Sequence, residues 1–197
     1  RDRMLVSMTE AEWDEIARVN LKGHFCPLRH AVAYWRERSK AGEEVSARVI
    51  NTSSGAGLLG SVGQGNYAAA KGAIAAMTLV AAAEMGRYGV TVNALAPAAR
   101  TPMTEGVFAA QMKAPEQGFD AMDPANVSPL VVWLASAESG DVSGRVFEVE
   151  GGTIGVMDGW QFGPRATQER RWKPEEIGAA VAELITEAPT PAPVYGA

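Results

Sequence analysis

A tyrosine and a lysine four residues apart, Tyr67 and Lys71, form the pair with the clearest chemical use in this sequence. On a helix, side chains at this spacing lie on one face, one turn apart, and their ends can meet. A tyrosine ordinarily keeps its proton up to about pH 10, and a nearby ammonium group favours the phenolate. Such a pair can exchange a proton with a substrate near neutral pH, although the same spacing is also common on solvated helix faces.

Two serines, Ser53 and Ser54, follow a short apolar segment that predicts a strand from Arg48 to Thr52. Open α/β sheets bind their ligands beyond the carboxyl ends of the strands. These hydroxyls are therefore candidates for the same site as Tyr67, and Ser54 lies 13 residues before that tyrosine.

The next segment, Gly55-Ala56-Gly57-Leu58-Leu59-Gly60, matches the G-x-G-x-x-G pattern of a dinucleotide phosphate loop. Three features argue against that function. Polar residues separate the strand from the first glycine, no helix is expected to open at Gly60, and Val80 stands where an acidic residue would be needed. We therefore predict that Ser53 to Asn66 forms a mobile glycine-rich loop beside the active site.

Hydrophobic periodicity predicts helices that alternate with strands. Thr9 and Glu12 form a capping box for a helix that runs to about Ser39, with a kink at Pro27. The other expected elements are strands at Arg48–Thr52, Val90–Leu95 and Arg145–Val149, helices at Tyr67–Arg87, about Glu105–Met112, Asp123–Ser136 and Pro174–Thr186, and an extended tail from Pro189. This alternation indicates an α/β domain with a parallel sheet.

Several motifs together resemble the short-chain dehydrogenase/reductase family. They are Val49-Ile50-Asn51-Thr52-Ser53-Ser54, then Tyr67 and Lys71, then Asn93-Ala94-Leu95-Ala96-Pro97. The resemblance covers nearly the whole chain. It implies a Rossmann-type doubly wound parallel sheet, of which residues 1–197 are the C-terminal portion of a single domain. It also implies an enzyme that uses NAD or NADP.

The resemblance assigns catalytic roles to four residues. Tyr67 donates or accepts the proton, and Lys71 favours its ionisation and hydrogen-bonds the nicotinamide ribose. Ser54 holds the substrate oxygen and stabilises developing charge, with Ser53 as the alternative. Asn20 matches the asparagine that anchors a water in a proton relay to the lysine, although an amide there also suits plain helix packing.

Two more residues are implied on the cofactor side. Pro97 would lie beside the nicotinamide ring, and Thr101 would meet its carboxamide. The chain departs from the family here, because Ala98 replaces a usual glycine and the threonine falls four residues after the proline rather than five.

A narrower resemblance is to the (3R)-hydroxyacyl-CoA dehydrogenase domain of peroxisomal multifunctional enzymes and to related bacterial dehydrogenases. It is carried by Arg1-Asp2-Arg3, Glu12-Trp13-Asp14, Met103-Thr104, Pro129-Leu130-Val131-Val132-Trp133-Leu134 and Phe147-Glu148-Val149. It implies a 3-hydroxyacyl-CoA or hydroxysteroid substrate. The alternatives are a 3-oxoacyl carrier-protein reductase and a non-catalytic binding protein. Six apolar residues would form a lid over the substrate, or would instead belong to the ordinary packing of the domain: Met103, Val107, Phe108, Met112, Phe119 and Met122.

Composition narrows the function classes. The net charge of −5 argues against nucleic acid, and two histidines make a multi-histidine metal site hard to build. Cys26 has no partner for an internal disulfide, which favours the cytoplasm. No apolar run of membrane-spanning length stands out, so no membrane partner is expected. The resemblance implies a homodimer or homotetramer that pairs the helices containing Asn20 and Tyr67.

The chain begins at Arg1, close to a helix. The family's phosphate-binding loop and first strands would precede this residue. We therefore expect residues 1–197 alone to bind NAD(H) weakly and to lack turnover.

Overall fold

The computed structural model describes residues 2–105, 112–157 and 159–195. Its sheet has four strands in the order β1-β2-β3-β4: Ala47–Thr52, Val90–Ala98, Val146–Glu150 and Thr153–Met157. β2 runs parallel to both β1 and β3, whereas β4 pairs with β3 in an antiparallel hairpin. The expected Rossmann-like, mainly parallel α/β sheet is therefore confirmed.

The helices of the described residues are α1 to α7, namely Glu10–Ile16, Gly23–Lys40, Gly55–Leu59, Gly65–Met85, Pro102–Glu105, Ser128–Ala135 and Pro174–Glu187. A π-helical turn, Ala17–Lys22, joins α1 to α2. Short 3₁₀ turns occur at Leu5–Ser7, Gly86–Tyr88, Pro124–Val127 and Ala137–Ser139.

Helices cover both faces of the sheet. On one face, Val90 and Val92 pack with residues of α2 and α4 such as Leu28 and Met85. On the other face, residues of β2 and β3 pack with α6 in a cluster of Leu95, Leu130, Leu134, Phe147 and Val149. Burial on both faces explains why β2 is almost continuously apolar, as parallel strands are.

The N-terminal helix confirms the predicted cap and corrects the predicted kink. The Thr9 hydroxyl accepts from the Glu12 amide at 3.3 Å, and the Glu12 carboxylate accepts from the Thr9 amide at 3.1 Å. The α2 helix continues through Pro27, whereas the departure from α geometry lies upstream, at Ala17–Lys22. A π turn bonds residue i to residue i+5 and adds about one residue to a turn. Spacings of three and four residues do not distinguish it from an ordinary α-helix, so periodicity did not reveal it.

Three further predictions needed correction. Residues 53–66, expected as a loop, contain α3, and β2 extends to Ala98 instead of ending near Leu95. The β4 strand was not expected, because Thr153–Met157 pairs only along β3 and stays partly exposed. Most of the helix expected near Glu105–Met112 lies outside the described residues.

The long helix Gly65–Tyr88 is apolar enough, by length and composition, to cross a membrane, although no such run was expected from the sequence. It packs against the sheet, and Ile74 and Thr78 within it have no exposed surface. A buried core helix of an α/β domain passes the same test, and this packing supports that interpretation.

Candidate active site

Lys71 is held inside the fold by the end of β1. Its side chain is 6% exposed, and Nζ donates a hydrogen bond to the Thr52 carbonyl oxygen at 2.8 Å. Nζ also lies 5.6 Å from the centre of the Tyr67 ring, within the range of a cation–π contact. The predicted pairing of Tyr67 with Lys71 on one helix face is thus present.

Burial lowers the pKa of Lys71, because desolvation disfavours the ammonium form. An ammonium carries three protons, and within the described residues only one of them meets an acceptor, the Thr52 oxygen. The Tyr67 side chain is half-buried. Both residues can therefore offer polar hydrogens to a bound molecule.

The two serines after β1 have different surroundings. Ser53 is 2% exposed, and its hydroxyl donates to the Lys71 carbonyl oxygen at 2.8 Å. Ser54 is half-buried, and its oxygen accepts from the Ala56 amide at 3.3 Å, which caps α3. Among the described residues no acceptor takes the Ser54 proton, so Ser54 is better placed than Ser53 to bind a substrate oxygen.

The middle glycine of the pattern after the serines, Gly57, allows close packing between helices. A Cβ on Gly57 would stand 2.6 Å from the Gly72 amide nitrogen and from the Lys71 carbonyl carbon. A Cβ on Gly72 would stand 2.8 Å from the Gly57 carbonyl oxygen. Backbone therefore meets backbone where α3 crosses α4, at the turn that carries Lys71.

Asn66, the residue before Tyr67, was not singled out from the sequence, yet its side chain bonds both to Tyr67 and to α1. It is 3% exposed, and its Oδ1 accepts from the Tyr67 amide at 2.8 Å. Its Nδ2 donates to the Glu12 carbonyl oxygen of α1 at 3.1 Å. This contact fixes the start of α4 to a segment far away in sequence, so spacing alone gave no signal for it.

Asn20 lies in the π-helical turn, which packs against α4. Its Nδ2 donates to the Ile16 carbonyl oxygen at 3.2 Å, and its own carbonyl oxygen lies 2.7 Å from Nδ1 of His24. π-Helical turns occur frequently at functional sites. The proton relay through Asn20 stays a prediction.

Pro97 and Thr101 lie at and beyond the carboxyl end of β2. Pro97 is half-buried and pairs in register with Val149 of β3. Thr101 caps the short α5 helix, since its hydroxyl accepts from the Thr104 amide at 3.3 Å and its amide donates to the Thr104 hydroxyl at 2.8 Å. Their contacts with a cofactor also stay predictions.

Arg100, another residue not singled out from the sequence, connects the end of β2 to residues 112–122 through hydrogen bonds and an ion pair. Its guanidinium pairs with the Asp120 carboxylate and donates to the Met112 carbonyl oxygen at 3.2 Å. Its amide donates to the Met122 carbonyl oxygen at 2.7 Å. The guanidinium holds the pKa of Asp120 below its ordinary value.

The expected apolar lid is only partly visible. Val107, Phe108 and the side chain of Met103 lie outside the described residues. Met112 is 9% exposed, whereas Phe119 is 66% exposed. A lid over a substrate therefore stays a prediction.

Known proteins match this chain over most of its length. Residues 1–153 match the family model described as enoyl-(acyl carrier protein) reductase. The hydroxyacyl-CoA dehydrogenase ChsB1 of Mycobacterium tuberculosis is 44% identical over 188 residues, which are 94% of this chain and 59% of that protein. A (3R)-3-hydroxyacyl-CoA dehydrogenase of Canis lupus familiaris is 36% identical over 163 residues, 77% of this chain and 58% of that protein.

A solved structure matches as well. The crystal structure of a short chain dehydrogenase from Mycobacterium avium superimposes with a TM-score of 0.89 at 60% sequence identity. The match covers 100% of this chain and 64% of that one. The chain therefore spans about three fifths of the length of the relatives it matches.

Proposed function

Since the chain belongs to the short-chain dehydrogenase/reductase family, we propose that the protein is an NAD(P)-dependent oxidoreductase. It moves a hydride between the nicotinamide and the hydroxyl or carbonyl carbon of a hydrophobic substrate. The observation that carries this proposal is the buried Lys71 ammonium, 5.6 Å from the Tyr67 ring centre. A buried charge is costly, and perturbed ionisable groups of this kind cluster at functional sites.

Tyr67, Lys71 and Ser54 have different roles at the substrate oxygen. In the oxidative direction, the Tyr67 oxygen accepts the alcohol proton while the hydride leaves the adjacent carbon, and reduction reverses both transfers. Lys71 stabilises the negative charge that Tyr67 bears when it is deprotonated. Ser54 donates its free proton to the substrate oxygen and stabilises the charge that develops there.

The residues present fit the nicotinamide end of the cofactor. The two Lys71 protons without an acceptor among the described residues suit the hydroxyls of a ribose. Ala96, Pro97 and Ala98 present no large side chain at the end of β2, which leaves room for a flat ring. The bound cofactor would accept or supply the hydride. Tyr67, Lys71, Pro97 and Thr101 are the residues we propose to hold it.

For the substrate, we favour a 3-hydroxyacyl-CoA or a hydroxysteroid. The names of the two curated relatives support a hydroxyacyl-CoA. The alternative is a 3-oxoacyl carrier-protein reductase. The matching family model is described as an enoyl-(acyl carrier protein) reductase, which shares the carrier protein with this alternative but reduces a different group. The net charge of −5 opposes this alternative, because an acidic carrier protein docks best on a basic surface.

The test is a comparison of substrates with the full-length protein. A (3R)-3-hydroxyacyl-CoA, a hydroxysteroid and a 3-oxoacyl carrier protein are each assayed with both nicotinamide cofactors by absorbance of the reduced form. We expect the highest kcat/KM with the acyl-CoA. A folded protein that turns over none of these substrates would overturn the proposed activity.

We further propose a cytoplasmic homodimer or homotetramer. Apolar side chains stand exposed on the two helical segments expected to pair between subunits: Val19 at 52%, Phe25 at 47%, Leu79 at 51% and Val80 at 57%. Burial of such residues between subunits would lower the free energy of the assembly. Sedimentation of the full-length protein as a monomer at micromolar concentration would contradict this proposal.

A further inference from the structure

The C-terminal segment returns to the glycine-rich segment that follows Ser54. The Tyr195 amide donates to the Gly60 carbonyl oxygen at 3.2 Å, and the Val62 amide donates to the Tyr195 carbonyl oxygen at 2.9 Å. These bonds form an isolated parallel bridge between Ser61 and Tyr195. The tail is therefore paired with the segment that joins the candidate serine to the candidate tyrosine.

Two glycines leave the space that this tail occupies. A Cβ on Gly55 would stand 2.8 Å from the Tyr195 hydroxyl oxygen and 3.0 Å from a carbon of its ring. A Cβ on Gly60, where φ is +85°, would stand 3.3 Å from Val194. With Gly57 against α4, each glycine of the G-x-G-x-x-G pattern has a packing partner. Two of the three partners belong to the tail.

The Tyr195 ring also reaches the far side of β2. Its hydroxyl lies 3.5 Å from Oε1 of Glu148 in β3, and β2 lies between β1 and β3 in the sheet. Burial, followed by the charges of Glu148 and Glu150, raises the pKa of Tyr195, so its hydroxyl stays protonated and can donate. The Tyr195 side chain thus links Gly55, the residue after Ser54, to β3, which is separated from β1 by β2.

We propose that Tyr195 is a positioning residue, which clamps the Ser54–Gly55 turn and thereby fixes the Ser54 hydroxyl for the reaction. This inference rests on the proposed function. Ser54 itself is bonded to the Ala56 amide at 3.3 Å, so displacement of the start of α3 moves its oxygen. A displacement of about 1 Å in a catalytic group can cost up to about a hundredfold in rate.

The kinetic test uses full-length protein with Tyr195→Ala, Tyr195→Phe and Gly55→Ala. We expect Tyr195→Ala to lower kcat on the order of tenfold with little change in the Kd for NAD(H). Tyr195→Phe keeps the ring on Gly55 and should restore most of the lost activity. Gly55→Ala should displace the tail and match Tyr195→Ala, and the double variant should show no further loss because both changes break one contact.

Tyr34→Ala is the matched control, since Tyr34 is 58% exposed on α2 and its loss should leave kcat unchanged. Hydrogen exchange of residues 55–62 gives a readout that does not depend on turnover. We expect faster exchange there in Tyr195→Ala and in Gly55→Ala, but not in Tyr34→Ala. Unchanged exchange, or faster exchange with unchanged kcat, would overturn the clamp. A wild-type protein without turnover would instead overturn the proposed function, while the exchange still tests the clamp.

Discussion

Lys71 is a charged side chain on the buried face of a helix whose other buried residues are mostly apolar or small. Its ammonium is desolvated, with a carbonyl oxygen at 2.8 Å and an aromatic ring beside it. Such a group weakens the fold and strengthens the local electrostatic field. A buried ammonium beside a tyrosine ring suits a site where the tyrosine transfers its proton.

We predict that Lys71→Met lowers kcat by at least about a hundredfold and changes how stability depends on pH. Burial lowers the pKa of Lys71 in the fold, so the unfolded chain binds more protons between the folded pKa and the ordinary value. Wild-type stability should therefore rise with pH in that interval. Urea unfolding between about pH 8 and pH 10 should show this rise in the wild type and lose it in Lys71→Met. The same slope in both proteins would refute the assigned cause.

The two neighbouring serines offer a matched pair of substitutions. Ser54→Ala should lower kcat about a hundredfold. It should also cost up to about 1 kcal/mol of stability, because the Ser54 oxygen caps α3. Ser53→Ala removes a buried hydrogen bond to the Lys71 carbonyl oxygen and should cost about 1 kcal/mol of stability while keeping most activity. Steady-state kinetics and thermal melts of both variants check this. The opposite pattern would make Ser53 the catalytic serine.

The candidate site residues could be predicted largely from short spacings in the sequence. The approach of Lys71 to Tyr67 depends on one helical turn, and the choice of Ser54 depends on its distance in sequence from Tyr67. By contrast, Asn66 bonds to Glu12, and Tyr195 contacts Gly55. Those contacts join residues far apart in sequence, so they are set by the fold and not by any local pattern.

Among the elements, α3 and α4 determine how close Ser54, at the start of α3, comes to Lys71 in α4. Their backbones touch at Gly57 and Gly72. The sequence argued against a phosphate loop here, but it did not reveal α3. A helix of five residues is too short for the periodicity that identifies longer helices, and β4 likewise depends on its pairing with β3.

We predict that Gly57→Ala destabilises the protein by about 2 kcal/mol, because the added methyl group would meet α4 atoms at 2.6 Å and overpack the contact. Activity should fall as well, since α3 and Ser54 would shift. Gly86→Ala is the control, because a Cβ there meets no atom within 4 Å. Denaturant melts that give equal stability for both variants would show that the two helices do not need this close approach.

For the whole molecule, β1 forms the edge of the described sheet. It pairs with β2 on one side, and no strand of the described residues pairs with its other side. In doubly wound folds the dinucleotide lies where the two halves of the sheet meet. If the protein binds a dinucleotide in this way, the described strands would supply one side of the crevice. The chain spans about three fifths of the length of its relatives.

We therefore expect the 197 residues alone to bind NAD(H) with a Kd weaker than about 1 mM. Calorimetric titration of these residues, with the full-length protein as the control, measures this directly. A micromolar Kd for the 197 residues would contradict this expectation.

In the proposed reaction, the Tyr67 hydroxyl transfers the proton during hydride transfer. Tyr67→Phe in the full-length protein removes only that hydroxyl, so single-turnover hydride transfer, followed by nicotinamide absorbance, is the most direct measurement. We predict a loss of at least about a thousandfold, with circular dichroism and NAD(H) affinity unchanged. Hydride transfer near the wild-type rate in a folded Tyr67→Phe protein would show that this hydroxyl does not transfer the proton.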